Sequence, residues 1–450
     1  MNMDKVRDEE STDGMRIAVN AAHPRSPPRM RLLFVNRFYS PDISATSQIL
    51  TGLAEHLARV GHEVHVVCSR QLYEDASAVL APFELRQGVQ VHRAWSSRFG
   101  RGSLAGRAAD YLTFYVGAWW QLRRLVDSAT IVVAKTDPPL ISVVTASVTM
   151  RRGAVLVNWL QDVFPEVATH LGLRGLSGTF GKLLMRVRDW SLRSAAVNVV
   201  LGDRMAALIA SRGIGPERIC IVPNWSDAER LAPIDRNRNA LRREWAVGAK
   251  FVVMYSGNMG RAHEFDTMLD AAAALKEHEQ IEFLFVGGGA KSAQVAAAAA
   301  ARGLSNVRFL PYQPVERLGE SLSAGDLHLV SLLPTMEGLI VPSKFYGILA
   351  VGRPVVFIGS HEGELAGIVT KHNVGTVVGV GQPEALVQTI LVYLSDANTR
   401  SAKGRNARTL FEMEYTQQSA IGRWERLLAS IGEDAGRSGS TRAPSQSTTR

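Results

Sequence analysis

Cysteine is almost missing from this sequence: in 450 residues only Cys68 and Cys220 occur, each inside an apolar run. Two cysteines cannot staple a chain of this length, which excludes a disulfide-built secreted scaffold and points to a reducing compartment. Long apolar runs are missing as well. The longest, such as Leu140 to Val148, stop far short of the roughly 20 residues that cross a bilayer, so no spanning helix is expected. The charged opening, Met1 to Glu10, has no apolar stretch behind it, so a secretory leader is not expected either and the chain should stay in the cytoplasm. No Gly-x-Gly-x-x-Gly follows the first apolar run, which reads Arg37-Phe38-Tyr39-Ser40-Pro41 at that point. That absence argues against a nicotinamide oxidoreductase. Neither an Asp-x-Asp pair nor a ligand-spaced cluster of histidines and carboxylates is present, so no metal and no resident cofactor is expected.

What is present is an ordinary globular composition, 46% hydrophobic and 21% charged, with a net charge of +9. The length suits two domains rather than one core. The excess of Lys and Arg lies in the N-terminal half, a field that favours an anionic partner such as an anionic lipid or a phosphorylated substrate. Nucleic acid would explain the charge but none of the ordered loops described below.

Short β-branched runs alternate with helical periodicity. Strands are predicted at Arg31–Val35, Val64–Cys68, Ile131–Ala134, Ala154–Asn158 and Val197–Leu201. A second series follows at Phe251–Tyr255, Phe283–Val286, Val307–Leu310, Leu327–Ser331 and Val355–Ile358. Such alternation builds parallel sheets through βαβ units. Leu50, Leu53, Leu57 and Val60 mark the first helix, which Gly61 should end. The expected plan is a tail over 1–29, an N-terminal lobe over 30–225 and a C-terminal lobe over 226–400. Helices crossing back over 401–432 and a second tail over 433–450 complete it.

In open α/β sheets, ligands bind where strands lead into helix N-termini. One such loop holds Gly257, Asn258, Gly260 and Arg261, two glycines that admit a phosphate and a cation that can fork onto it. Another is Gly287-Gly288-Gly289, a weaker signal that a tight turn explains equally well. A third, Glu337-Gly338-Leu339-Ile340-Val341-Pro342-Ser343-Lys344, sets a carboxylate and a cation either side of a short apolar turn, with Ser343 placed to cap the following helix.

These motifs carry a resemblance. EGLIVPSKFYGILAVGRPVVF, preceded by YSGNMGRAHEFDTMLDAA and NVRFLPYQPVERLGESLSAGDLHLV, resembles the donor lobe of the retaining family-4 glycosyltransferases of GT-B fold, especially those of bacterial O-antigen, colanic acid and exopolysaccharide assembly. FVNRFYSPDISATSQILTGLAEHLARVGHEVHVVC, TDPPLISVV, WLQDVFPEVATHLGL and VPNWSD resemble the matching N-terminal lobe, so the likeness covers about residues 31–430. It implies two Rossmann-like lobes facing across a cleft and a nucleotide-sugar donor. The sugar would be a UDP-linked hexose or an N-acetylated or deoxy hexosamine, moved with retention and without metal to a polyprenyl-diphosphate-linked or oligosaccharide acceptor.

By position, the resemblance implies that Glu337 is the first Glu of the family's Glu-x7-Glu motif, with the amides of Gly338, Leu339 and Ile340 facing the sugar's hydroxyls. Arg261 and Lys344 would neutralise the departing diphosphate, Pro311, Tyr312 and Gln313 would meet the base, and Ser44, Ala45 and Thr46 would form the N-lobe phosphate loop. The sequence departs from the pattern in four places. The second Glu has no counterpart near Tyr346-Gly347-Ile348; Asn258 and His263 stand where many relatives carry cations; Ser44-Ala45 replaces a Gly pair; and Gln161-Asp162 replaces His-Asp. Asp162 and Glu166 are candidates to position or deprotonate the acceptor, and Asp162 could equally cap a helix. The departures leave room for a protein that binds a nucleotide sugar without catalysis.

Two windows mix aromatics with arginines. Asp110 to Val126 holds Tyr111, Phe114, Tyr115, Trp119, Trp120, Arg123 and Arg124. Lys182 to Arg193 holds Leu183, Leu184, Val187 and Trp190 with Arg186 and Arg188. Either stripe alone suits a lobe core as well as a membrane surface; together with the N-terminal half's excess positive charge they point to peripheral contact with the inner face of the cytoplasmic membrane through 110–126 and 182–193.

Overall fold

The computed structural model of the chain describes residues 29–73, 75, 78–100, 104–172 and 178–440. Most of both expected tails, 1–28 and 441–450, lies outside them. Among the described residues, strands form an eight-stranded and a six-stranded sheet. The first comprises β1 (Arg31–Val35), β2 (Glu63–Ser69), β3 (Phe83–Arg86), β4 (Val89–Ala94), β5 (Thr130–Lys135), β6 (Val155–Trp159), β7 (Val197–Val200) and β8 (Ile219–Ile221), in the order β3-β4-β2-β1-β5-β6-β7-β8. The second comprises β9 (Phe251–Ser256), β10 (Ile281–Val286), β11 (Val307–Leu310), β12 (Leu327–Ser331), β13 (Val355–Ile358) and β14 (Gly375–Val378), in the order β11-β10-β9-β12-β13-β14. All neighbours pair in parallel except β3 with β4.

The central parallel strands are almost wholly buried, as expected where helices cover both faces. On one side of the first sheet, Leu50, Leu53 and Leu57 of the helix Ala45–Arg59 pack with Trp424 and Leu428 of the last helix, Gln417–Ser440. Trp424 is fully buried, its ring 4.6 Å from that of Trp159 at the end of β6. The C-terminal helix therefore belongs to the first lobe's core, and the chain crosses back beside Ser226, which bridges Thr416. This helix runs on to Ser440, into the stretch expected to be tail from 433. The helices Leu104–Leu125, Ile141–Arg152 and Thr179–Ser194 cover the opposite face, packed side by side.

The hairpin β3–β4 and the edge strand β14 were not expected from the sequence. Gln87 and Gly88 at the hairpin tip both take positive φ (48° and 82°), the backbone of a two-residue turn, without the Asn-Gly or Asp-Gly pair that usually announces one. In each sheet the connections diverge from a central pair, β1 and β5 in the first, β9 and β12 in the second. A crevice opens at the carboxyl ends of such pairs. The segments after these strands, and after β6, carry the site.

Candidate active site

Three loops of the second lobe meet. The turn after β9, Gly257 to Arg261, lies under the turn after β10: Met259 donates its amide to the Gly288 carbonyl (2.6 Å) and Lys291 its amide to the Met259 carbonyl (2.9 Å). Tyr312, in the loop after β11, closes the third side, with its hydroxyl 3.3 Å from the Gly288 carbonyl and its ring half exposed. The approach is close enough to require glycine. A Cβ on Gly287, whose φ is 130°, would fall 2.4 Å from the Gly257 carbonyl oxygen. Gln313 folds onto the Pro311 carbonyl (3.0 Å) beside this cradle.

Lys344 begins the short helix Lys344–Ala350 and reaches back to the same loop. Its ammonium donates to the Asn258 carbonyl (3.3 Å), stacks over the Tyr255 ring at 3.6 Å, and passes within van der Waals reach of the space beside Gly257. Burial pushes its pKa well below the usual lysine range. No carboxylate pairs with it among the described residues. An anion at this turn would restore the charge that burial disfavours. His263 lies beneath, its Nδ1 2.6 Å from the Ser331 carbonyl. Burial and then the Lys344 charge hold it down to about 3, so it is neutral and supplies no cation of its own.

Glu337 stands at the other end of the 337–344 turn. One carboxylate oxygen accepts the Glu364 amide (3.1 Å) at the N-terminus of the helix Glu364–Lys371; the other, Oε1, is buried without a partner among the described residues. Burial is the main cause of its raised pKa, opposed by the Glu364 amide. Opposite it, the segment after β6 pairs with the same turn: Val163 donates to the Leu339 carbonyl (3.0 Å) and Asp162 bridges Ile340. Burial pushes Asp162 up to about 6, against the lowering effect of the Thr136 hydroxyl.

Residues 45–225 match the glycosyl transferase 4-like domain family, and residues 237–410 the glycosyl transferases group 1 family. The two matches fall on the two sheets described above. The chain is a glycosyltransferase of the GT-B fold. Over 379 residues the enzyme is 27% identical to the putative colanic acid biosynthesis glycosyl transferase WcaI of Escherichia coli, covering 80% of this chain and 91% of that one. Among solved structures, its fold matches sucrose-phosphate synthase from Thermosynechococcus elongatus with a TM-score of 0.71 at 15% identity, over 90% of this chain and 99% of that one. It matches Anabaena HepE in complex with UDP with a TM-score of 0.66, also at 15% identity, over 89% and 100% of the two chains.

The glycosyltransferase places its expected site residues unevenly. Gly257, Asn258, Gly260, Tyr312 and Lys344 converge. Arg261 is exposed and engages no ion pair or hydrogen bond among the described residues, so it is not joined to Lys344. Leu339 and Ile340 do not offer free amides, because both donate to the Met336 carbonyl (3.0 and 3.4 Å); only the Gly338 amide is unengaged among the described residues. Ser343 makes no capping hydrogen bond and its backbone is already helical. The N-lobe loop is filled by its own carboxylate: buried Asp42 accepts both the amide (2.9 Å) and the hydroxyl of Ser44, leaving Ala45 and Thr46 behind an anion.

Asp162 caps no helix, since the next one, Glu166–His170, starts after Pro165. Glu166 is not a free base, because Arg188 (2.7 Å) and Arg212 (3.0 Å) hold it. The spacing Glu-x7 counted from Glu337 leads to Phe345 rather than to Tyr346, and Phe345 is fully buried in the core; no carboxylate stands there. Sequence reasoning missed Lys291, whose ammonium donates to the His263 carbonyl (3.1 Å) beside the cradle, and Glu364. Lys291 follows the triple glycine at a helix start, which was the available signal.

The two aromatic windows split between core and surface. Phe114 is buried and Tyr115 bonds the Pro139 carbonyl, while Leu112, Val116 and Trp120, one helical turn apart, are exposed and Arg124 stacks on Trp120. On Thr179–Ser194 the exposed apolar residues are Phe180, Leu183 and Trp190; Arg188 faces inward. Met150 lies exposed on the helix packed between these two. No described helix is long and apolar enough to cross a membrane.

Proposed function

We propose that the enzyme transfers a hexose or an N-acetylated or deoxy hexosamine from a UDP-linked donor, with retention, to a polyprenyl-diphosphate-linked or oligosaccharide acceptor at the inner face of the cytoplasmic membrane. One observation carries the donor reading: Lys344, a half-buried cation lacking a carboxylate partner among the described residues, sits on the glycine cradle seven residues from Glu337, whose Oε1 is buried and also lacks a partner. Breaking the bond between the anomeric carbon and the phosphate puts negative charge on the leaving diphosphate and cationic character on the sugar. Lys344 meets the first, with Lys291 nearby. Glu337 Oε1 accepts a sugar hydroxyl. Asp162, ionised above about pH 6, takes the acceptor's hydroxyl proton as the new glycosidic bond forms.

The UDP part draws on the likeness to HepE, whose structure contains UDP, and the surface-glycan part on WcaI, named for colanic acid biosynthesis. The exposed apolar residues on three adjacent helices, flanked by exposed Arg123, Arg124, Lys182 and Arg186, support peripheral contact with an anionic bilayer. Incubation with a panel of nucleotide sugars, with and without lipid-linked acceptors, tests the proposal. Turnover of a UDP-sugar to an α-linked product from an α-linked donor agrees with it. An inverted product refutes retention, and exclusive use of GDP-sugars refutes the choice of base.

A further inference from the structure

The two lobes are joined by a chain of two carboxylates, each seated at a helix N-terminus. Glu364 Oε2 accepts the amide of Arg204 (2.8 Å), which belongs to the first lobe at the start of the helix Asp203–Ala210. Glu364's own amide, at the start of the helix Glu364–Lys371, is donated to Glu337 (3.1 Å). Both are charge-assisted bonds at the positive end of a helix, where a carboxylate is favoured. The main chain of Arg204 also lies over the turn: a Cβ on Gly338 would fall 3.1 Å from the Arg204 carbonyl oxygen. Separating the lobes therefore breaks the Glu364–Arg204 bond and uncovers the turn that carries Glu337. The junction borders a cavity of about 720 Å³ that Pro223, Tyr346 and Tyr415 also line.

We propose that Glu364 is a positioning residue: its side chain latches the first lobe while its amide holds Glu337, so that closure of the lobes brings the first lobe onto the same helix start that carries Glu337. This rests on the assignment of Glu337 to the donor site. The latch separates cleanly into parts, because a side-chain substitution at 364 leaves the amide in place and removes only the contact between lobes.

The test compares Glu364→Ala, Glu364→Gln and Gly202→Ala in the intact chain. Gly202 has an extended backbone that any residue adopts, but a Cβ there would fall 2.3 Å from the Glu364 carboxyl carbon and would push that side chain off the Arg204 amide. Gly202→Ala therefore breaks the same bond without touching Glu364, and guards against a misfolded Glu364 variant. Loss of one charge-assisted bond predicts a fall in kcat of roughly ten- to hundredfold for Glu364→Ala and Gly202→Ala, no further fall in the double variant, and unchanged UDP affinity. Glu364→Gln keeps an acceptor and recovers most of the rate.

Small-angle scattering supplies a readout independent of turnover, in which both latch-breaking variants are more extended than the parent. Parental kcat and parental dimensions in Glu364→Ala overturn the latch, as does additivity of the two substitutions. A parent that turns over no nucleotide sugar, with scattering changes as predicted, contradicts the donor assignment and not the latch.

Discussion

Asp162→Asn separates what the fold asks of this position from what the reaction asks. Burial raises the carboxyl from 3.8 to about 6. At about 1.4 kcal/mol per pH unit, keeping Asp162 ionised at pH 8 costs the folded chain roughly 3 kcal/mol. Asparagine avoids that cost and still offers an oxygen to the Thr136 hydroxyl. Its NH2 lies where Oδ1 is now buried without a partner among the described residues, which costs about 1 kcal/mol. The net expectation is a gain of about 2 kcal/mol at pH 8.

The sign follows from linkage. The folded state holds this proton more tightly than the unfolded chain, so the parent has its full contribution below about pH 4 and loses it as pH rises through about 6. Urea titrations of parent and variant should give similar stabilities at pH 4.5 and diverge as pH rises towards about 6, levelling off above it, the variant being the more stable. Its transferase activity should fall, and any residual activity should lack the acidic limb near pH 6. A variant less stable than the parent at pH 8, or a gap that does not change with pH, refutes the reasoning.

Lys344→Met should lower kcat about a hundredfold or more, the size of a lost charge-stabilising group, without loss of thermal stability, since partial burial already disfavours this charge; a combined rate assay and melting scan checks both. Glu337→Gln should lower kcat while isothermal titration shows UDP binding unchanged, because its contact is with the sugar and not the nucleotide. Gly287→Ala should abolish UDP binding, because its Cβ collides with the Gly257 carbonyl across the cradle. Val116→Glu with Trp120→Glu should reduce flotation with anionic liposomes at least tenfold, on the order of the several kcal/mol of apolar insertion removed, while solution-phase donor hydrolysis persists.

The fold was readable because it is built from short, largely apolar and mostly buried parallel strands alternating with helices. Phe251–Ser256 and Leu327–Ser331 announce themselves as unbroken runs of buried side chains. The hairpin at Gln87-Gly88 was not readable because its strands are half exposed and its turn residues are uncharacteristic. In the candidate site, the proximity of Glu337 and Lys344 to one turn was legible because seven residues of local sequence carry both.

Glu364, Asp42 and Lys291 were not, because each acts through a contact that only folding creates. Glu364 meets Arg204 from a distance of 160 residues. Asp42 looks like any loop acid until it is seen holding the Ser44 amide. The arginine stripe misled for a related reason: Arg188 has the same spacing as its exposed neighbours, yet pairs inward with Glu166.

The central claim is that the Gly257–Lys344 cradle and Glu337 hold a nucleotide sugar for transfer. Mass spectrometry of products from the parent and from Glu337→Gln, each given a panel of UDP-sugars with a lipid-linked acceptor, tests it most directly. The account predicts a glycosylated acceptor from the parent with at least one donor, and a loss of about a hundredfold or more in the variant. Equal product from both would place the chemistry elsewhere in the cleft.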